Sequence, residues 1–226
     1  PLSRRTLFRS DYLAGFPDHP HRGFETVTYM MAGKMHHKYS QGHEGVIEAG
    51  GVQWMRAAKG IIHSEMPEQD DGWLSGFQLW LNLPATHKMD EPSYQEFAAK
   101  QIAVEQREGV CIHVISGDTQ EGTQGVIEQP LTEPVYWHID MQAKSEWCEQ
   151  LPSEHNAFCY VISGVLLSED TQGHSVQIKQ GELGVLSLGE EVNFVADEAV
   201  EFLLVAAKPL HEPVVRSGPF VMNCGV

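Results

Sequence analysis

The sequence predicts an all-β chain made of two related barrels. Three observations carry this reading. Short apolar runs rich in Val, Ile, Tyr and Trp recur along the chain, such as ETVTYMMAG, GFQLWLNLP, GVCIHVISG and PVYWHIDMQ, and many of them alternate. Gly (21) and Pro (12) separate these runs at short intervals, as turns between strands require. Finally, ETVTYMMAGKMHHKYSQGHEGVIEAGGVQWM and AFCYVISGVLLSEDTQGHSVQIKQGELGVLSL read alike: strand, Gly, strand, polar Gly turn, strand, Gly, strand. Such self-similarity is the mark of an internal duplication.

Taken in order, PLSRRTLFRSDYLAG carries arginines but no apolar core long enough for a signal peptide. HPHRGFETVTY opens the first barrel on two histidines and a proline. Its strands run through Gly33 and Gly50/Gly51 to GFQLWLNLP. A weak helical signal over Glu91 to Gln101, near Asp90 and Pro92, predicts a turn or two of helix. A polar stretch over 98–108 marks the seam, so the expected domains are 1–104 and 105–226. Gly164 and Gly181 then repeat the roles of Gly33 and Gly50/Gly51.

Lys plus Arg total 15 against 31 Asp plus Glu, a formal charge of −16. A chain this acidic, without a basic run, repels phosphate backbones, which argues against direct nucleic-acid binding and leaves a protein partner open. No stretch approaches the roughly 18 apolar residues of a membrane span. Cys111, Cys148, Cys159 and Cys224 form no CxxC pair. They read as reduced thiols, which suits a cytoplasmic setting.

In a strand, residues two apart share a face. His19 and His21 therefore project together, and Pro20 suits the edge of a sheet. In AAKGIIHSEMP, His63 and Glu65 form a second same-face pair after Gly60. Three imidazoles and a carboxylate suit a redox or Lewis-acid metal with open positions better than a closed structural zinc site. Glu25 reads as a ligand, a partner for a histidine N–H, or an ion-pair partner of Arg22. His36 and His37 read as a polar turn, and His43 fits either a turn or the cavity.

The stretches GFPDHPHRGFETVTY, QWMRAAKGIIHSEMP, GFQLWLNLP, EPSYQEF and EPVVRSGPFVMN strongly resemble the pirin family, bicupins of the cupin superfamily. The resemblance implies two tandem cupin (jelly-roll) barrels, of which only the N-terminal one holds metal. It implies His19, His21, His63 and Glu65 as ligands, whereas the general cupin pattern HxHx(3)E would select Glu25. The proline expected two residues before the glycine of the second cupin motif is Ala58 here. Aligning Gly164 with Gly33 places Gln150 and Pro152 where His19 and His21 stand and Asn156 opposite Glu25. His155 lacks ligating neighbours.

Similar proteins are described as quercetin 2,3-dioxygenases, so the resemblance implies a phenolic substrate, O2 and one divalent ion. Fe(II) is the first choice, and Cu, Ni, Mn and Zn are tolerated by such ligands. Glu65 would act as general base. Trp54 and Met55 would be wall or, more simply, strand core. The family is also described as regulatory. The alternative is therefore a non-enzymatic, iron-bound redox sensor that docks on a transcription factor or a metabolic enzyme. A third reading is a mainly structural metal. A chain that already pairs two barrels is expected to be a monomer.

Overall fold

A computed structural model describes residues 3–7, 15–40, 42–68 and 72–224. Among them are twenty-one strands, two short 3-10 helices and no α-helix. Two compact units form, one of residues 1–101 with 210–226, the other of residues 102–209.

The first unit stacks two sheets. One orders β1 (Ser3–Leu7), β8 (Leu74–Asn82), β3 (Phe24–Ala32), β6 (Val52–Arg56) and β9 (Ser93–Phe97) as β1-β8-β3-β6-β9. The other orders β2 (Phe16–His21), β7 (Ile61–Pro67), β4 (Lys34–Tyr39) and β5 (Glu44–Glu48) as β2-β7-β4-β5. Alternation aims the side chains. In β7, Ile61, His63 and Glu65 are buried while Ile62 is exposed. The helix expected over Glu91–Gln101 is instead the edge strand β9, which pairs with β6, followed by one 3-10 turn at Ala99–Gln101. Tyr94 and Glu96 share one face of this strand, where they meet Tyr39 and His37 of β4, and that placement outweighs the local helical preference.

The second unit has a six-stranded sheet of β10 (Ala103–Arg107), β11 (Val110–Ser116), β12 (Val135–Met141), β19 (Val200–Ala207), β14 (Asn156–Ser163) and β17 (Leu183–Val185), in that spatial order. It faces a four-stranded sheet of β13 (Ser145–Gln150), β18 (Glu191–Ala196), β15 (Val165–Glu169) and β16 (Ser175–Lys179). The core between them is mostly aliphatic and holds four aromatic rings, Trp137, Trp147, Phe194 and Phe202. Phe194 and Phe202 meet edge to face at 5.4 Å, and Trp147 stacks on Phe194 at 6.1 Å. Each such buried ring contributes roughly 1.5–3 kcal/mol by leaving water.

The duplication is visible bond by bond. Gly50 N donates to Met30 O at 2.7 Å, and Gly181 N donates to Val161 O at 2.8 Å. Met30 N in turn donates to Gly51 O, as Val161 N does to Glu182 O. A bulge follows Met30 in β3 and follows Val161 in β14. Gly50 and Gly181 adopt φ of +78° and +81°, a conformation that glycine tolerates at no steric cost.

The boundary expected at 104/105 falls at 101/102 in the structure, and residues 210–226 return to the first unit. There β20 (Val215–Ser217) and β21 (Phe220–Met222) form a hairpin. Val221 N donates to Arg22 O, and the buried Lys88 Nζ donates to Gly23 O, Asn82 Oδ1 and Val221 O at 2.7, 2.6 and 2.9 Å. These are long-range contacts, for which the local pattern of 210–226 carries no signal.

Candidate metal centre

The centre follows from strand register. His19 lies directly opposite His63 across β2 and β7, and Tyr39 lies opposite His63 on the other side. A bulge between Phe16 and His19 sets the β2 phase so that His19 and His21 both face His63. The ligand atoms of His19, His21 and His63 all lie within 4.8 Å of one another. His19 Nε2 and His21 Nε2 are 3.1 Å apart. Two nitrogens bound at right angles to one ion at about 2.1 Å would stand about 3.0 Å apart.

His63 carries the strongest signal. It is 1% exposed, and neither of its ring nitrogens has a hydrogen-bond partner. A buried polar side chain left unsatisfied in this way is costly. An ion held with His19 and His21 would satisfy one of these nitrogens, so the residues fit a metal. Burial, reinforced by His19, lowers the His21 pKa to about 4. Burial and the neighbouring imidazoles lower that of His63 to about 3. Both rings are therefore neutral near pH 7, the form that ligates.

Glu65 faces the same interior but stands outside the 4.8 Å group. Thr28 Oγ1 donates to it at 3.1 Å, and Gln78 Nε2 donates to its two oxygens at 3.2 and 3.1 Å. Burial nevertheless pushes its pKa up. Glu25 lies elsewhere. The turn at Gly23, φ +85°, separates β2 from β3 and resets the alternation, so the even spacing from His21 does not place Glu25 beside it. Its carboxylate accepts from Arg56 Nε at 2.7 Å and Trp54 Nε1 at 3.0 Å. The expected ion pair is thus made with Arg56, and Arg22 instead reaches Met89.

His37 is not in a polar turn. It is buried in β4 opposite Glu65, and its Nε2 meets the Glu96 carboxylate at 2.9 Å. That contact holds the Glu96 pKa below the usual carboxylate range. His36 takes the other face of β4, and the exposed His43 sits against Tyr94 at 4.9 Å. Trp54 is core on the Glu25 side, whereas Met55 packs against Tyr39. Ala58 has φ +42°, which proline cannot adopt, so the missing cupin proline accompanies a different turn.

Aromatic rings flank the imidazoles. Tyr39 stacks on His63 at 5.9 Å and on Tyr94 at 5.4 Å. Trp80 packs on His21 and Phe24 at 5.4 and 4.4 Å. Sequence reasoning missed Gln78, Trp80 and Thr28. Their signal is local alternation: Gln78, Trp80 and Asn82 share one face of β8, and Thr26 and Thr28 one face of β3. In the second unit, β18 takes the place of β7 in the sheet order and turns Phe194 and Ala196 inward, while β13 turns Trp147 inward. Gln150 closes β13 on its exposed face.

The fold and this centre define a bicupin, two cupin barrels in one chain with an imidazole cluster in the first. The Pirin family model matches residues 3–81, and the Pirin C-terminal cupin domain matches residues 136–225. A "Pirin-like protein" of Caulobacter vibrioides is 50% identical over 216 residues, covering 95% of this chain and 76% of that one. A Pseudomonas aeruginosa protein provisionally named a quercetin 2,3-dioxygenase is 45% identical, covering 94% of this chain and 75% of its own length. The crystal structure of a quercetin 2,3-dioxygenase from Acinetobacter baumannii superposes with a TM-score of 0.89 at 31% identity, covering 99% of this chain and 79% of that one. The chain belongs to the pirin family. No helix among its described residues is long and apolar enough to cross a membrane.

Proposed function

We propose that the chain is a metal-dependent dioxygenase of the quercetin 2,3-dioxygenase type, which cleaves a flavonol or similar phenolic with O2 and releases carbon monoxide. The observation that carries this reading is His63, buried with both ring nitrogens unpartnered beside His19 and His21. The likeness to the Acinetobacter baumannii dioxygenase supports it. In this reading His19, His21 and His63 hold one divalent ion, Fe(II) by preference, and Glu65 is a fourth ligand or its immediate neighbour. When bound, the ion supplies Lewis acidity and, for iron, a one-electron redox couple.

The chain's own residues do the rest. Glu65 accepts the proton of the phenolic hydroxyl. Gln78 and Thr28 hold the carboxylate in place through three hydrogen bonds. Trp80 and Tyr94, partly exposed beside the imidazoles, offer flat faces for planar rings, and the buried Phe24 and Tyr39 pack against them and exclude water.

The test is anaerobic purification, metal analysis, and oxygen uptake with quercetin on the Fe(II) form. Uptake with carbon monoxide release, abolished in His63→Ala, is the expected result. One bound iron without uptake would overturn the enzymatic reading and favour the redox-sensing regulator.

A further inference from the structure

The second unit carries another cluster of metal-binding side chains, on the face of its large sheet opposite the core. Val110, Ile112, Trp137, Ile139, Met141, Val200 and Phe202 fill the core side of β11, β12 and β19. The alternate positions carry Cys111 and His113, then His138 and Asp140, then Glu201. Register puts them on two adjacent rungs. Cys111 is opposite Asp140, which is opposite Glu201, and His113 is opposite His138.

The geometry points to a second transition-metal site, formed by Cys111, His113 and Asp140. We propose that it takes a borderline ion such as Zn2+, Co2+ or Ni2+. The ligand atoms of these three residues lie within 4.8 Å of one another. Cys111 Sγ and His113 Nε2 are 3.9 Å apart. A tetrahedral ion with metal–sulfur about 2.3 Å and metal–nitrogen about 2.0–2.1 Å sets them about 3.5–3.6 Å apart, a few tenths of an ångström away. A thiolate, an imidazole and a carboxylate together select this class of ion over Mg2+ or Ca2+, which take oxygen ligands.

Two further features support a built site. Gln106 Nε2 donates to Cys111 Sγ at 2.9 Å, a contact that strengthens when sulfur carries a negative charge. His138 stacks on His113 with ring centroids 5.3 Å apart and is itself fixed by Glu201 Oε1, 3.0 Å from its Nε2. This orients the His113 ring toward Cys111, the positioning role that neighbours of metal ligands play. A cleft of about 320 Å³, lined in part by Gln106, Cys111, Asp140, Ser163 and Glu201, opens beside the cluster and leaves room for a fourth, exchangeable ligand.

The site is separable from the first centre because no candidate ligand there is sulfur. The experiment is addition of Co2+ to the reduced, full-length protein as purified, followed by absorption spectroscopy. The expected result is a thiolate-to-cobalt charge-transfer band in the near ultraviolet that saturates within two added equivalents, because the imidazole centre takes cobalt as well. It is lost in Cys111→Ser and kept in Cys148→Ser. In Asp140→Asn it needs roughly ten-fold or more cobalt. Absence of the band at millimolar cobalt, or a band that persists in Cys111→Ser, would overturn the proposal.

Discussion

His19 and His63 are direct partners across β2 and β7, their ring centroids 4.4 Å apart. Neither is close to the other in sequence, so the centre exists only in the correct strand register. A shift by one residue would turn either imidazole to the opposite face. Ligands that act as a unit are non-additive. His63→Ala is expected to weaken metal binding about a hundred-fold or more and to abolish the rise in melting temperature that added metal gives the parent. The double variant His19→Ala/His63→Ala should then bind no worse than His63→Ala. Calorimetric titration with Fe(II) under anaerobic conditions checks both, and additive losses would argue against one shared ion.

Glu65 depends on Gln78, which supplies two of the three side-chain hydrogen bonds described for its carboxylate. Gln78→Leu keeps the side chain's size and removes both bonds. Turnover of a phenolic substrate is expected to fall roughly 10–100-fold while bound metal stays near that of the parent. Metal lost in parallel with activity would instead make Gln78 a support of the whole cage.

Much of this architecture was legible in the sequence, because period-2 alternation and repeated glycines are local signals. HPH and HSE announced same-face pairs, and the repeats around Gly33 and Gly164 announced the duplication. What escaped depends on distant pairing. His37 reads as part of a polar run until β4 is placed against β7 and β9. Gln78 is one polar residue in an apolar strand until β8 lies beside β3. Residues 210–226 join the first unit through Arg22 and Lys88, which no spacing rule relates to them. The cluster around Cys111 was hidden for a related reason: Cys111 and His113 share a face of β11, but only the pairing of β11 with β12 brings Asp140 to them.

Glu25 provides the opposite contrast to Glu65. A general cupin pattern makes it a ligand, yet it accepts from Arg56 and Trp54 on the other face of β3. Glu25 is 1% exposed and Arg56 is partly buried, so removing the carboxylate strands a charge. Glu25→Ala is expected to cost about 3 kcal/mol or more of stability. Metal stoichiometry and the imidazole cluster should be untouched. Denaturant unfolding together with metal analysis separates these outcomes, and loss of metal at unchanged stability would restore Glu25 to the centre.

The second unit holds its own buried charges, and they set its acid response. Arg107 reaches Glu105 at 2.5 Å and the fully buried Glu149 at 2.6 Å. Burial pushes the Glu105 pKa up, but hydrogen bonds, among them those from the Thr119 hydroxyl and Arg107, outweigh it and leave the pKa below its ordinary 4.5. The unfolded chain therefore takes up this proton first. Glu105 contributes full stability above pH 4.5, and the contribution is lost as pH falls below that value toward the lower folded pKa. Urea unfolding followed by tryptophan fluorescence is expected to show a loss of stability below about pH 4.5, and Glu105→Gln assigns its share to the second unit. Glu105→Gln should start less stable at pH 7 and lose less on acidification. Arg107→Met should cost about 3–5 kcal/mol at pH 7, because it leaves Glu149 buried without its cation. An acid response unchanged in Glu105→Gln would assign that response to other carboxylates.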